Sequence, residues 1–278
     1  MSIELTEAHI LAGQMSKELP GKTILSYQLQ NCQSLQKLGC VNKDATAFDR
    51  LIGGKIVSVA SRGNTILVKL DNGWNLVLAP EYGGNIQLYK KQEETTKFHL
   101  KLEIQDKAVL IVSLTGIGCI QAVEDTFLKN NYLYRRDFSD ILNPLEANFT
   151  FNHFLERLDS KKQNIKASLV GKTAVVVGVS NSAFQDIIYR AKISPKRNTG
   201  SLTEEEKKAL YTANVDLVVD RLEAGGKDQF TDLYGKPGLY VPKMGSNQKD
   251  RTCPACGTKI EKISHGGGQV YLCPTCQK

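Results

Sequence analysis

The chain has 278 residues, of which 41% are hydrophobic and 23% are charged. This composition is typical of a folded soluble protein and excludes a wholly disordered chain. No apolar run approaches the roughly 18 residues of a membrane span, and the first residues lack the pattern of a secretory signal. We therefore expect a cytoplasmic protein without a membrane partner. The net charge of +7 fits an ordinary surface, but a basic excess from Lys227 onward favours a polyanionic partner.

The first half of the chain predicts one helix followed by short strands. Apolar residues recur at three- and four-residue steps over residues 5–19, with Thr6 as the expected N-cap and Pro20-Gly21 as the end. Aliphatic and β-branched runs separated by turn residues then predict eight strands, which favour a β-sandwich or barrel. These runs are residues 24–29, 55–60, 65–70, 75–79, 86–89, 99–104, 108–114 and 119–123.

After residue 124 the pattern becomes helical. Residues 151–158 and 181–192 are expected to form helices, and a capping box of Thr203 with Glu206 opens another that runs to Glu223. Gly225-Gly226 is a suitable stop. The chain is thus expected to be a multidomain α+β protein. Its predicted parts are an N-terminal helix and β-sandwich (1–124), a linker (125–143), a helical domain (144–242) and a cysteine-containing segment (243–278).

Four of the seven cysteines stand as two Cys-x-x-Cys pairs: Cys253, Cys256, Cys273 and Cys276. Pairs at this separation allow four thiolates to converge on one tetrahedral ion, which is usually zinc. Residues 259–263 and 269–272 are expected to form a hairpin between the pairs. The sequence therefore predicts a zinc ribbon with one structural ion and no coordination position left for catalysis.

Two features of the helical part indicate a phosphate contact. The turn Gly178-Val179-Ser180-Asn181 leads into a predicted helix, and free N–H groups at a helix N-terminus can bind phosphate. An ordinary helix cap explains the same residues. Lys166 is, by itself, only a surface lysine.

Together these pieces resemble the formamidopyrimidine-DNA glycosylase / endonuclease VIII family along the whole chain. Ile165-Lys166 is similar to the family's Ile-Lys, and Gly178-Val179-Ser180-Asn181 to its Gly-Val-Gly-Asn turn, whose Asn contacts a DNA phosphate. Ile193-Ser194-Pro195, two glycine-rich segments near residues 225–238 and the final cysteine segment match further family motifs.

The resemblance implies a fold, a partner and a reaction. The fold is a β-sandwich with a starting helix, a helix–two-turn–helix domain (144–242) and a C-terminal zinc finger. The partner is double-stranded damaged DNA, bound by a nucleoid-associated monomer in a cleft between the two larger domains. The reaction requires that the lesion be flipped out of the duplex. Lys166, Asn181 and the hairpin tip are the expected DNA contacts.

The expected nucleophile departs from the family pattern. The family uses the amine of an N-terminal proline, followed by a glutamate that acts as acid and base. Here Glu4-Leu5-Thr6-Glu7 resembles Glu-Leu-Pro-Glu, which places Ile3 at the proline and leaves Ser2 as an extra residue. Ser2, exposed by loss of Met1, and Glu4 are the catalytic candidates, although both cannot be in the family register.

The residues that read the lesion also depart. The family's strand-loop lysine falls at Asn64, its void-filling segment at residues 80–84 and its intercalating arginine in residues 114–118, which contain no arginine. The zinc-hairpin arginine falls at Gly268, so that only the backbone N–H groups of Gly266, Gly267 and Gly268 would meet a phosphate. Glu81 is a candidate for contacting a base in the lesion pocket.

We interpret the chain as a DNA repair glycosylase in which Glu4 activates water or assists departure of the base, with AP lyase activity weak or lost. The alternative is a catalytically inactive protein that binds lesions or abasic sites. That hypothesis explains the loss of the proline, the lysine and the arginine together, but not the recognisable Glu4-Leu5-Thr6-Glu7. An RNA- or transcription-associated zinc-ribbon protein is a third and weaker interpretation.

Overall fold

The computed structural model describes residues 3–81, 83–90, 97–116, 118–171 and 173–278. The chain divides into two compact units. The first contains residues 1–139 and 224–239, and the second contains residues 140–223 and 240–278. Within the described ranges, every helix is too short or too polar to cross a bilayer. The domain boundaries expected from the sequence stay predictions.

The first unit begins with helix α1 (Leu5–Glu18), which agrees with the predicted range to within one residue. Its N-cap is Glu4, so the predicted cap at Thr6 is wrong, and Thr6 is instead buried in the first turn. The reason is a capping box: the Glu4 N–H donates to Oε2 of Glu7 at 3.1 Å, which satisfies a donor at the helix start. The helix ends at Leu19, since the following Pro20 cannot continue it.

Eight strands follow and form two antiparallel four-stranded sheets, within one residue or two of the predicted bounds. One sheet has the order β1 (Ile24–Leu29), β6 (Leu100–Ile104), β7 (Ala108–Ser113), β5 (Asn85–Tyr89). The other has the order β2 (Ile56–Arg62), β3 (Thr65–Leu70), β4 (Trp74–Ala79), β8 (Cys119–Glu124).

The core of this unit lies between the sheets. Both sheets and α1 supply one continuous cluster of buried aliphatic side chains, for example Leu11 of α1, Leu102 of β6 and Val68 of β3. Alternate residues along a strand point to opposite faces, so each sheet turns one apolar face inward. The predicted β-sandwich with a starting helix is confirmed.

Shorter helical segments lie between β1 and β2 and after β8, and they were not predicted because they are too short to show helical periodicity. They are α2 (Gln33–Lys37), a 3₁₀ turn (Ala45–Leu51), α3 (Asp125–Leu128) and α4 (Tyr132–Asp137).

The second unit contains helices and the cysteine segment. Its helices are α5 (Phe151–Asp159), α6 (Ile165–Leu169), α7 (Asn181–Arg190) and α8 (Glu204–Glu223), and its strands are β9 (Glu261–His265) and β10 (Gly268–Leu272). The capping box that opens α8 is confirmed: the Thr203 N–H donates to Oε2 of Glu206 at 2.8 Å, and the Glu206 N–H donates to the Thr203 hydroxyl at 3.2 Å.

The hairpin β9–β10 is tighter than expected. Its first strand begins two residues later than predicted, and the turn contains only Gly266 and Gly267. Both have positive φ, +53° and +76°, the conformation that a two-residue hairpin turn needs and that glycine adopts without steric cost.

Candidate active site and nucleic-acid interface

The four cysteines of the second unit converge as predicted. Their Sγ atoms lie within 4.8 Å of one another. The Sγ–Sγ distances are 3.9 Å between Cys253 and Cys276 and 3.4 Å between Cys256 and Cys273. A tetrahedral zinc ion with Zn–S bonds of about 2.3 Å requires sulfur separations of about 3.8 Å. The donor set and its spacing therefore fit one structural zinc ion.

The cysteine segment is fixed to helix α7 and to the residues that follow it. The Gln277 side chain is buried, donates to the Ile193 carbonyl at 3.0 Å and accepts from the Cys273 N–H at 2.9 Å. On the other side of the segment, Gln185 of α7 accepts the N–H of Tyr271 at 2.7 Å. These bonds set the direction in which the β9–β10 hairpin points.

The structure brings together most of the predicted DNA contacts at the hairpin tip. Nζ of Lys166 donates to the His265 carbonyl at 2.7 Å, and Nδ2 of Asn181 donates to the Gln269 carbonyl at 3.0 Å. A methyl group added to Gly268 would lie 3.4 Å from Nζ of Lys166 and 3.7 Å from Oδ1 of Asn181. The ammonium, the amide and the glycine turn thus form one polar surface.

Lys166 differs from the surface lysine that the sequence suggested. The residue is 5% exposed, and its side-chain carbons lie against the turn, where a methyl group on Gly266 would approach Cδ to 2.8 Å. Burial lowers the pKa of the Lys166 ammonium. Gly267, by contrast, is exposed, and a methyl group added to it would meet no atom within 4 Å.

In the first unit, Glu4 is a buried carboxylate and not an exposed helix-start residue. It is 1% exposed, and its Oε2 lies 2.8 Å from Nζ of Lys227. The same ammonium lies 3.6 Å from Oε2 of Glu7, and the Lys227 N–H donates to Oε1 of Glu7 at 3.3 Å. The other catalytic candidate, Ser2, lies outside the described residues.

Glu81, the candidate for the lesion pocket, lies in an ion pair. Its Oε1 is 2.5 Å from Nη2 of Arg136, whose guanidinium also donates to both oxygens of Asp137 at 2.6 and 2.8 Å. Burial disfavours the charge on Arg136, but the hydrogen bonds and charges of Asp137 and Glu81 outweigh it and raise the pKa of Arg136. The Glu81 carboxylate is therefore held by a fixed cation.

Asp137 extends this cluster to the strand loop. Besides Arg136, it accepts the Asn64 N–H at 3.1 Å and the Thr65 hydroxyl at 2.6 Å. Asn64, at the position of the family's lysine, is 9% exposed. The arrangement orders the loop between β2 and β3 without placing a cation at that position.

Lys227 and Arg136 were not predicted from the sequence as site residues. Lys227 directly follows a predicted helix stop, and Arg136 lies in the predicted linker. Lys227 is 223 residues from Glu4 along the chain, so no local spacing could pair them. The one available indication was a lysine directly after Gly225-Gly226, in a segment that already resembled a family motif.

Models of one family's domains match the chain in order. The formamidopyrimidine-DNA glycosylase N-terminal domain matches residues 3–114, the formamidopyrimidine-DNA glycosylase H2TH domain matches residues 142–231, and the zinc finger found in FPG and IleRS matches residues 252–278. Together these ranges include Glu4, Lys166 and all four cysteines.

Proteins named formamidopyrimidine-DNA glycosylase are similar to this chain along nearly their full length. The formamidopyrimidine-DNA glycosylase of Pelotomaculum thermopropionicum is 27% identical over 281 residues, and that of Rickettsia bellii is 26% identical over 282 residues. In both cases 99% of each chain is covered.

Solved structures support the fold. The MutM (Fpg) protein from Thermus thermophilus superposes with a TM-score of 0.80 at 24% identity, over 99% of this chain and 98% of that chain. The Lactococcus lactis Fpg in complex with DNA containing an abasic site gives 0.83 at 21% identity, over 99% of each chain. The predicted helix–two-turn–helix domain and zinc ribbon are confirmed by these matches together with the domain models.

Proposed function

The chain belongs to the formamidopyrimidine-DNA glycosylase family, and on that premise we propose that it removes damaged bases from DNA by chemistry centred on Glu4. Its family makes it a DNA-binding repair enzyme, a DNA glycosylase, that carries one structural zinc ion. The lesion, the strand chemistry and the roles of individual residues belong to the proposal.

The observation that carries the chemical part is the buried Glu4 carboxylate. Carboxylates are seldom fully buried unless they are paired, and buried charge pairs are frequent at functional sites. Glu4 stands where the family places its catalytic glutamate, and it is buried beside Lys227 at 2.8 Å. In base release, the bond between C1′ and the base nitrogen breaks, the base leaves with the electron pair and a proton, and water adds to C1′. Glu4 would activate that water or assist departure of the base.

AP lyase activity is expected to be weak or lost. Strand cleavage by the family's route needs an amine that forms a Schiff base with the abasic sugar. Ile3, at the family's proline position, is 1% exposed and packs in the core of the first unit. The Ser2 amine is the remaining candidate, one residue out of register.

The proposed DNA contacts are Lys166, Asn181 and the backbone of Gly266, Gly267 and Gly268. An ammonium, an amide and main-chain N–H groups are the donors that bind phosphate oxygens. The proposed partner is double-stranded damaged DNA bound by a monomer. We propose that such a substrate is met in the cytoplasm, at the nucleoid.

A panel of duplexes, each with one oxidised or ring-opened base, tests the proposal by measuring base release and strand scission separately. We expect base release by the wild-type protein and at least a 100-fold loss in Glu4→Gln with unchanged DNA affinity, since general acid–base catalysis contributes about 10²–10⁴-fold. Glu205→Gln, at the exposed start of helix α8, is the matched control and should keep the wild-type rate.

Borohydride trapping on a duplex with one abasic site examines the lyase part. A weak or absent covalent band agrees with the proposal, whereas a strong band that maps to Ser2 would show that the Schiff-base route is retained. Tight binding without base release on any lesion would favour the catalytically inactive binding protein.

A further inference from the structure

A cluster of three buried charged groups lies at the start of α1. It consists of the carboxylates of Glu4 and Glu7 and the ammonium of Lys227, whose side chains are 1%, 0% and 5% exposed. Nζ of Lys227 lies 2.8 Å from Glu4 and 3.6 Å from Glu7. Lys227 is therefore bonded most closely to the proposed catalytic carboxylate.

The backbone holds Lys227 in this place. The preceding Gly225 and Gly226 have φ of +67° and +99°, which turns the chain sharply after α8. A methyl group on Gly226 would approach the Phe230 ring to 2.5 Å, so the turn is also closely packed. The Lys227 N–H donates to Glu7 at 3.3 Å. Main chain and side chain of one lysine thus contact both glutamates.

The charge balance of the cluster determines which form of Glu4 is stable. A cation at hydrogen-bond distance favours the ionised form of a buried carboxyl group, and a neighbouring carboxylate disfavours it. The ammonium is closer to Glu4 than to Glu7, and it offers the hydrogen bond that a buried carboxylate needs. Removal of the ammonium would take this hydrogen-bonded cation away from Glu4, which favours the protonated form of that carboxyl group.

Two charged side chains on the strands packed against α1 contact groups outside the cluster. On β2, Arg62 donates to the Asp137 carbonyl at 2.6 Å. On β3, Lys69 lies 3.8 Å from a carboxylate oxygen of Asp125. Among the interactions described, Lys227 is the cation in contact with Glu4.

We propose that Lys227 is a positioning residue that keeps Glu4 ionised, so that Glu4 acts as the general base for the attacking water. This inference rests on the proposed glycosylase function. Of the two roles proposed there for Glu4, activation of water and assistance to the departing base, it selects the first. Glu4 accepts a proton from water while the water oxygen forms its bond to C1′. The glycosidic bond breaks, and its electron pair leaves with the base, which takes up a proton from solvent. The protonated carboxyl group returns its proton to solvent, so atoms and charges balance.

The test is the pH dependence of single-turnover base release for the wild type, Lys227→Met and Lys227→Arg. Loss of the cation should move the acidic limb of the Lys227→Met profile to higher pH by about one to three units. At pH values below both acidic midpoints, that shift corresponds to at least a tenfold lower rate, and most of the rate should return at pH 8. Arginine restores the cation, so Lys227→Arg should keep the wild-type limb. Lys236→Met, at an exposed lysine of the same segment, is the control.

Three outcomes would overturn the inference. The first is a Lys227→Met profile with the wild-type acidic limb. The second is a rate loss of the same size at every pH, which would mean a purely structural role. The third is a borohydride-trapped adduct on Lys227, which would make this amine the nucleophile. If Glu4→Gln retains the wild-type rate, the proposed function itself fails, and that result is separate from all three.

A second measurement uses the stability of the protein and not its activity. It compares several variants, so the result does not depend on whether one of them folds normally. The unfolding midpoints of the wild type, Lys227→Met, Glu4→Gln and the double variant are compared between pH 5 and pH 8. We expect the penalty of Lys227→Met to shrink as the pH falls, because protonation removes the uncompensated carboxylate, and to be largely absent in the Glu4→Gln background. A penalty that is independent of pH and of Glu4 would overturn the inference.

Discussion

Replacing Asp137 with asparagine tests how much the buried charge cluster contributes to the first unit. The Asp137 side chain is 3% exposed and accepts hydrogen bonds from Arg136, Asn64 and Thr65. Asparagine keeps the shape but turns an NH₂ group toward donors and removes the charge opposite Arg136. Losing a charge-assisted bond costs about 1.5–3 kcal/mol, and breaking a buried pair costs about 3–5 kcal/mol. Because Glu81 still pairs with Arg136, we expect a loss at the low end, about 3 kcal/mol.

The measurement is urea unfolding followed by tryptophan fluorescence. Trp74 is the only tryptophan of the chain and lies on β4, so it reports the first unit. Asp71→Asn is the matched control, since the exposed Asp71 carboxylate accepts one N–H, from Lys55 at 2.9 Å, and its loss should cost less than about 1 kcal/mol. In a thermal scan, the Asp137 variant should melt roughly 10 °C lower. Equal losses for the two aspartates would refute the reasoning from burial.

Three further predictions concern the metal, the hairpin and pH. Cys273→Ser should purify with less than stoichiometric zinc and bind DNA more weakly; a full zinc content would contradict the four-cysteine site. Gly266→Ala should lower the melting temperature more than Gly267→Ala. Both positions have positive φ, but only at Gly266 would the methyl group meet a lysine side chain. Equal losses would contradict this prediction. Burial lowers the pKa of His99, and its Nδ1 accepts the Leu114 N–H at 3.0 Å. The stability that this neutral ring contributes is therefore complete above about pH 6.5 and is lost as the pH falls. His99→Asn should therefore flatten the fall of the urea midpoint between pH 7 and pH 5, and an unchanged slope would argue against the assignment.

The strands could be predicted from sequence because their burial is local and periodic. After a Gly-Asn turn, Ile66, Val68 and Leu70 are buried at every second position, and the structure has β3 at the predicted bounds. The cap of α1 was missed because Thr6 is the usual kind of capping residue, whereas the structure uses Glu4. Glutamate can fill that position here because Glu7 and Lys227 contact it, and Lys227 is 223 residues away along the chain.

The metal site could be predicted from the sequence more fully than the catalytic cluster, because its ligands are close along the chain. Four cysteines within the last 26 residues carry their geometry in their spacing, so the ligands and the ion could be predicted together. Glu4 could be identified from the family pattern, but its charge state depends on Lys227, which reaches it only through the fold. Spacing within a sequence predicts groups that are close along the chain, and it cannot predict partners joined by tertiary structure.

At the hairpin tip, Gly268 departs from the family pattern and lies close to Lys166, which matches it. The family resemblance places an arginine where this chain has Gly268, and arginine would bring its own charge to the tip. Here the ammonium of Lys166 donates to the His265 carbonyl at 2.7 Å, so a helix supplies the positive charge and the hairpin supplies the backbone that orients it. A lysine ammonium has three donors, of which this bond uses one. A Cβ added at Gly268 would lie 3.4 Å from Nζ of Lys166, so an arginine at this position would place its charge beside an existing ammonium.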